Sequence, residues 1–425
     1  MTKKGDSNII AIITMIFLFG MISFVTNLAA PIGNIWKMQP GIEGSNTWGM
    51  MGNMMNFLAY AVMGIPAGSL LKKKGYKFTA LAALLVGLLG VFVQFLSGIV
   101  GVGATIAGLP ANFFVYLLGA FIAGFSMCML NTVVNPMLKI LGGKRSNQYI
   151  QIGGSFNSLM GTLTPMLVAA LIGTLTPKSI ITDVNPMLFL AMGVFAAAFV
   201  VLLFVPIEDP AATKSAAPAE SPLKFRHFVY GIIAIFLYVG VEVGIPGTLN
   251  FYLADSENGA GLDPANAVMI AGTIAGVYWL LMLAGRLTSS VISGKVSSRT
   301  QLTCVSAFAI LLMIVAICMP SSVAIPMTIK GVLANVPVSA ILLILCGLCT
   351  SVMWGTIFDL AVEGLGAATE KASGIFMAMV VGGGIIPLLQ GALADAFGYM
   401  SSYWLLVASV AFILFFAVSG SKIKK

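Results

Sequence analysis

The chain has 425 residues, 59% of them hydrophobic and only 8% charged, with a mean hydropathy of +1.02. Soluble domains carry about 25% charged residues, so the composition excludes a soluble globular enzyme and describes a polytopic membrane protein. The net charge of +8 is not a nucleic-acid footprint, because its sources are short loops and tails, where membrane proteins hold orientation information.

Apolar runs long enough to span a bilayer occur near 8–35, 48–71, 78–100, 111–138, 148–173, 186–206, 227–253, 264–293, 301–320, 336–362, 372–394 and 400–420. The first follows MTKKGD, and no small-residue cleavage site closes a short apolar core, so it is expected to be a retained helix. It carries Asn27; the fourth run carries Asn131 and the fifth Asn157. Between the sixth and seventh lies the one sustained polar stretch, with DPAATKSAAPAESP reading as a flexible linker. The expected layout is an all-α membrane fold of twelve transmembrane helices in two pseudo-symmetric six-helix bundles. The bundles are 1–206 and 227–425, joined by a linker at 207–226.

The seventh run holds the deepest charge, Glu242, flanked by Gly240 and Gly244 and followed by Pro246, where the helix is expected to bend. A charge at that depth costs about 2.5–3.5 kcal/mol and marks a partner, a water path or a transferable proton. Tyr238 and Asn250 share this run, and Trp279 lies in the eighth. Arg286 and Lys295 bracket the end of the eighth and read as interfacial anchors. In the tenth, Cys346 and Cys349 form a CxxC with no histidine nearby, which reads as packing, and Asp359 sits in the last turns as a gate or interface charge. Gln390 lies in the eleventh. His227, the lone histidine, reads as solvated, and Trp36, Trp48 and Trp404 as interface anchors.

With both termini inside, every Lys and Arg except Lys37, Lys178 and Lys330 falls on the inner side. That skew fixes the expected topology: multi-pass, with both termini cytoplasmic. The halves also echo one another: GFSMCMLNTVVNPMLKILGG aligns with GLCTSVMWGTIFDLAVEGLG, and Gly153-Gly154 with Gly382-Gly383-Gly384. Two such repeats enclose a central site near the midplane.

Asn135-Pro136, Ser155-Phe156-Asn157-Ser158, Thr356-Ile357-Phe358 and Gly382-Gly383-Gly384-Ile385-Ile386-Pro387 occur in that order. Tyr238-Val239-Gly240 with Glu242 and Ile65-Pro66-Ala67-Gly68 before Lys72-Lys73 join them. Together they resemble the fucose permease and glucose/galactose transporter branch of the major facilitator superfamily, over nearly the whole chain. The resemblance implies a sugar–proton symporter of a bacterial inner membrane, and it implies that Asn157 contacts substrate. Two acids of that branch are absent, since Ala30 and Asn131 stand where an aspartate and a glutamate are typical. The branch's proton mechanism therefore does not transfer residue by residue.

Neutral amides and aromatic faces suit the hydroxyls and apolar faces of a sugar. The expected hydroxyl ligands are Asn27, Asn131, Asn157, Asn250 and Gln390, with Tyr238 or Trp279 as the stacking face and Glu242 and Asp359 as coupling acids. The expected function is alternating-access import of a neutral sugar or small glycoside, proton-coupled through Glu242. A facilitated uniporter and an exporter of amphipathic compounds are the alternatives, with a non-transporting sensor a third. No GxxxxGK[ST], HExxH or Ser–His–Asp set occurs, so no catalytic residues, metal or cofactor are expected. The expected partners are a sugar, a proton (sodium less so) and the lipid bilayer. Nucleic acid is not among them, and the chain is expected to be monomeric.

Overall fold

The computed structural model describes residues 4–142, 146–172, 179–205, 207, 221–292, 296–365 and 369–423. Most of the expected linker 207–226 lies outside them, as do Lys3, Lys144, Arg145, Lys178, Lys214, Lys295, Lys424 and Lys425. The side chains of Lys4, Lys72, Lys139, Gln151 and Lys371 are likewise outside the described set.

Among the described residues, twelve helices are long and apolar enough to cross a membrane. They are α1 (Ile9–Trp36), α2 (Asn46–Leu71), α3 (Lys73–Leu96), α4 (Ala111–Leu138), α5 (Ile152–Ile172) and α6 (Ile181–Phe204). The second set is α7 (Arg226–Ala254), α8 (Ala267–Ser289), α9 (Ser298–Cys318), α10 (Val338–Val362), α11 (Gly374–Phe397) and α12 (Tyr399–Gly420). They match the apolar runs one to one, and each set of six forms a bundle. An even number of crossings puts the start of α1 and the end of α12 on one face, the basic face. The opposite face is termed the far face.

Backbone chemistry decides where the helices break. In a regular helix the N–H of residue 31 would donate to the Asn27 carbonyl, but Pro31 has none. The helical path of α1 accordingly stops at Thr26 and resumes over Ala29–Trp36, with Asn27 and Leu28 in a turn. Pro246 does not break α7, which runs unbroken over Arg226–Ala254, so the discontinuity lies in the first helix and not at Glu242. Packing on α8, α10, α11 and α12 keeps α7 helical through Pro246, and the Tyr403 hydroxyl donates to the Ile245 carbonyl at 3.0 Å. In the first turn of α3 the helical path is interrupted at Gly75, whose φ of 83° a side chain would resist.

Small residues set the helix spacing. A Cβ on Gly382 of α11 would overlap the Phe236 carbonyl oxygen of α7, so these two backbones touch. Gly382→Ala is therefore expected to force α7 and α11 apart, cost about 1–3 kcal/mol and lower the Tm of the purified protein. An alanine variant melting with the wild type would contradict this packing.

Equivalent connections of the two halves carry hairpins on the far face. One pairs β1 (Thr105–Ile106) with β2 (Leu109–Pro110) between α3 and α4; the other pairs β3 (Ala324–Ile329) with β4 (Val332–Pro337) between α9 and α10. The sequence echo between the halves thus has a structural counterpart.

Two expectations are corrected. Trp36 is not an interface anchor: it is fully buried against Phe113 and Tyr116, while Trp404 stays half exposed. His227 is not solvated: it is buried, and its Nε2 lies 2.9 Å from the Glu363 carbonyl oxygen. In both cases a side chain at the end of an apolar run turns inward onto a neighbouring helix.

Between the bundles, α5 packs on α8 and α2 packs on α11. The segment of α1 after its break, Ala29–Trp36, packs on α7, whereas α4 and α10 pack within their own bundles. The bundles are thus joined along α5–α8 and α2–α11, from the far face to the basic face, and among the described residues not to a comparable degree along α4 and α10.

Candidate transport site

The break in α1 positions the site. It removes the helical donor from the Asn27 carbonyl and turns the Asn27 amide back onto the Ser23 carbonyl at 2.9 Å. Beside it is a cavity lined by Thr26, Asn27, Ala30, Pro31, Met50, Asn53, Pro165, Val243, Pro246, Gly247, Asn250, Ala275 and Trp279. Both bundles contribute. Three amides and an indole are among its lining residues and no charged residue is, but the surface they present to it is almost wholly apolar, because the amides are held by Ser23, Gly383 and Asn34. The Trp279 ring rests against Gly161 of α5, with its Nε1–H buried and without a partner. A buried donor without a partner costs about 1–3 kcal/mol.

The structure therefore brings Asn27, Asn250 and Trp279 of the sequence-predicted set together. Asn131 lies on α4 and donates to the Tyr60 hydroxyl at 2.7 Å; Asn157 lies on α5 and donates to the Phe19 carbonyl of α1 at 2.9 Å. Neither lines this cavity, nor does Gln390, which is fully buried beside Gly244 with both amide atoms unpaired. Asp359 is exposed near the end of α10 and accepts from the Ser298 hydroxyl at 2.6 Å. Asn53, absent from the sequence-predicted set, lines the cavity and donates to the Gly383 carbonyl at 2.8 Å.

Glu242 has company that the sequence did not assign to it. Arg286 is no interfacial anchor: it reaches in from α8, and its Nη2 stands 3.4 Å from Glu242 Oε1. Its Nη1 donates to the Gly154 carbonyl of α5, in the other bundle, at 2.7 Å. The Tyr238 hydroxyl is 2.9 Å from the same Glu242 oxygen and 3.1 Å from the Thr350 carbonyl. Arg286 lies 44 positions after Glu242 on another helix, so no sequence period links the two; only the α7–α8 packing does.

The far face is closed by a second polar cluster. Asn34 of α1 donates to Asn250 of α7 at 2.6 Å. Lys37, an outer-loop charge by sequence, is buried, with Nζ 2.6 Å from Asn46 Oδ1, 3.0 Å from the Tyr399 hydroxyl and 4.6 Å from the Phe251 ring centre. Tyr399 in turn donates to Asp255 at 2.9 Å. Asp395 of α11 accepts four hydrogen bonds at the start of α2, from the Asn46 and Thr47 amides at 2.7 and 2.9 Å and the Ser45 and Thr47 hydroxyls at 3.0 and 2.6 Å. A carboxylate there satisfies first-turn amides and the helix dipole together.

Known proteins agree with this architecture. The chain is 29% identical over 420 residues to the glucose/galactose transporter of Brucella abortus biovar 1 (strain 9-941), covering 96% of this chain and 92% of that one. It is 23% identical over 387 residues to the L-fucose-proton symporter of Escherichia coli (strain K12), covering 84% and 81%. The crystal structure of the E. coli fucose:proton symporter superposes with a TM-score of 0.66 at 19% identity, covering 98% of this chain and all of that one. The family model described as Major Facilitator Superfamily matches residues 10–386. The twelve-helix architecture, the two bundles around a central cavity and this match together place the chain in the Major Facilitator Superfamily, as a membrane transporter and not an enzyme.

Proposed function

We propose that the protein is a secondary transporter that imports a neutral sugar or small glycoside, coupled to a proton through Glu242. The halves 1–206 and 227–425 would rock about the central cavity, linked by 207–226, in a bacterial inner membrane with both termini cytoplasmic. The observation that carries the sugar reading is the uncharged cavity between the bundles, with three asparagines and the Trp279 indole among its lining residues. Hydroxyls are matched by such donors and acceptors, and an indole face suits the apolar face of a pyranose. Relatives named for glucose/galactose transport and L-fucose-proton symport support the same substrate class. Asn157, Asn131, Tyr238 and Gln390 remain proposed ligands for a state in which the bundles have moved, and Asp359 a proposed charge at the basic-face exit. The chain is proposed to work as a monomer, with a proton and not sodium as the coupling ion.

Facilitated uniport is the second reading. The Arg286–Glu242 pair favours it, because a carboxylate matched by a guanidinium has no need of a proton. Proteoliposome uptake of glucose, galactose and fucose separates the two. Under coupling, the wild type accumulates sugar above equilibrium when a pH gradient is imposed, and Glu242→Gln loses that accumulation by about tenfold or more while retaining sugar–sugar exchange. Wild-type and Glu242→Gln uptake equally indifferent to the gradient would leave uniport.

A further inference from the structure

We propose that Arg286 carries the effect of proton loading at Glu242 across the boundary between the two bundles. The inference rests on the proton-coupled reading above and adds a residue and a direction of action to it. One guanidinium serves two masters: Nη2 faces Glu242 on α7, and Nη1 donates to the Gly154 carbonyl on α5. The first partner belongs to its own bundle and the second to the other. Gly154 precedes Asn157 by three residues, so the carbonyl and the amide share one face of α5. Asn157 is itself tied to the Phe19 carbonyl of α1 at 2.9 Å. A change in the hold of Arg286 therefore acts directly on the helix that carries the proposed sugar ligand.

The step balances simply. A proton from water bonds to a Glu242 carboxylate oxygen, the carboxylate becomes a neutral acid, and no bond to Arg286 is formed or broken covalently. The guanidinium keeps its charge and loses its anion. It is left with the neutral Gly154 carbonyl, and the pair passes from zero net charge to +1. The separation of 3.4 Å is loose for such a pair, consistent with a partner that is exchanged. Among the described residues, the ionisable groups in contact with Glu242 are Arg286 and, on its own helix, Tyr238. Behind them stand Tyr278 of α8, which meets Thr350 at 2.8 Å, and Cys346 and Cys349 of α10 beside Tyr278.

The test is equilibrium binding of glucose, galactose and fucose to the purified full-length protein from acid to alkaline pH. Wild-type affinity should change through one midpoint, and Glu242→Gln should be flat. Arg286→Gln should keep the pH dependence but move its midpoint to more alkaline pH by about 1–3 pH units, because the cation no longer competes with the proton. Arg286→Lys, which keeps the charge, should lie nearer the wild type. A residue that merely braces the fold would change affinity at every pH without moving the midpoint. A midpoint identical in wild type and Arg286→Gln, with Glu242→Gln flat, overturns the inference and leaves proton coupling standing. Flat binding in the wild type overturns the proton reading and the inference with it. Should Arg286→Gln not fold, spin labels on α5 and α8 give the same decision: their separation in the wild type should respond to acid, and in Glu242→Gln it should not. A wild-type separation indifferent to pH also overturns the proposal.

Discussion

Replacing Asp395 with alanine opens the far face. In the structure this one carboxylate of α11 takes four hydrogen bonds from the first turn of α2, so it bolts the second bundle to the first. Hydrogen bonds to a charged group contribute about 1.5–3 kcal/mol each when well formed. Asp395 is exposed, water replaces part of what is lost, and the four bonds are discounted heavily. A net loss of about 2 kcal/mol remains, enough to shift the population of far-face-open molecules by about thirtyfold. The fold itself should survive, because Ser45 still caps α2 through the Trp48 amide. The measurement is the distance between spin labels on Asn258 and Gln39, in a background where the exposed Cys304 and Cys318 are serine. Asp395→Ala should lengthen it; Asp395→Asn, which keeps one acceptor oxygen but not the charge, should fall between. Distance distributions unchanged in Asp395→Ala would remove the bolt.

Alkaline pH acts on the same gate in the opposite sense. Burial lowers the Lys37 ammonium from the ordinary 10.5 to about 8, and the Asp255 and Asp395 carboxylates offset only part of that. When the gate opens, Lys37 meets water and its pKa returns to the ordinary value. Between these two values the open form binds a proton that the closed form does not. The closed form therefore gains stability as pH rises through about 8, and the gain is complete near 10.5. Its size is on the order of 3 kcal/mol. A neutral Lys37 amine still has hydrogens for Asn46 and Tyr399, so closure does not lose those bonds. Far-face spin-label distances should shorten as the pH is raised across that window, and the response should vanish in Lys37→Met. A gate equally open on both sides of the window would show that Lys37 is not what the pH acts on.

The acid at Glu242 was visible in the sequence because a charge in a long apolar run is expensive wherever it falls. Its partner was not visible. Arg286 lies at the end of another run, where positive residues are common, and only the packing of α8 against α7 and α5 turns it inward. Lys37 was hidden for the same reason. It stands in a short outer loop, and nothing local says that Asn46, Tyr399 and Phe251 will surround it. The break in α1 was within reach, since Pro31 and Asn27 are four apart, yet Pro246 in α7 offered the same signal without the same result.

What the sequence determined alone is the solvent and the count: twelve apolar stretches of bilayer length, the polar interruption halfway and the side on which positive charge collects. These are one-dimensional quantities, set by transfer of side chains and backbone between water and hydrocarbon, and they are independent of which helix touches which. The tertiary structure alone decided which amides share a cavity, which cation meets Glu242 and which carboxylate caps α2. Each of those pairings joins residues far apart in the chain, and in a bilayer the helices' apolar faces are nearly interchangeable, so close packing at glycines and buried polar pairs chooses among them.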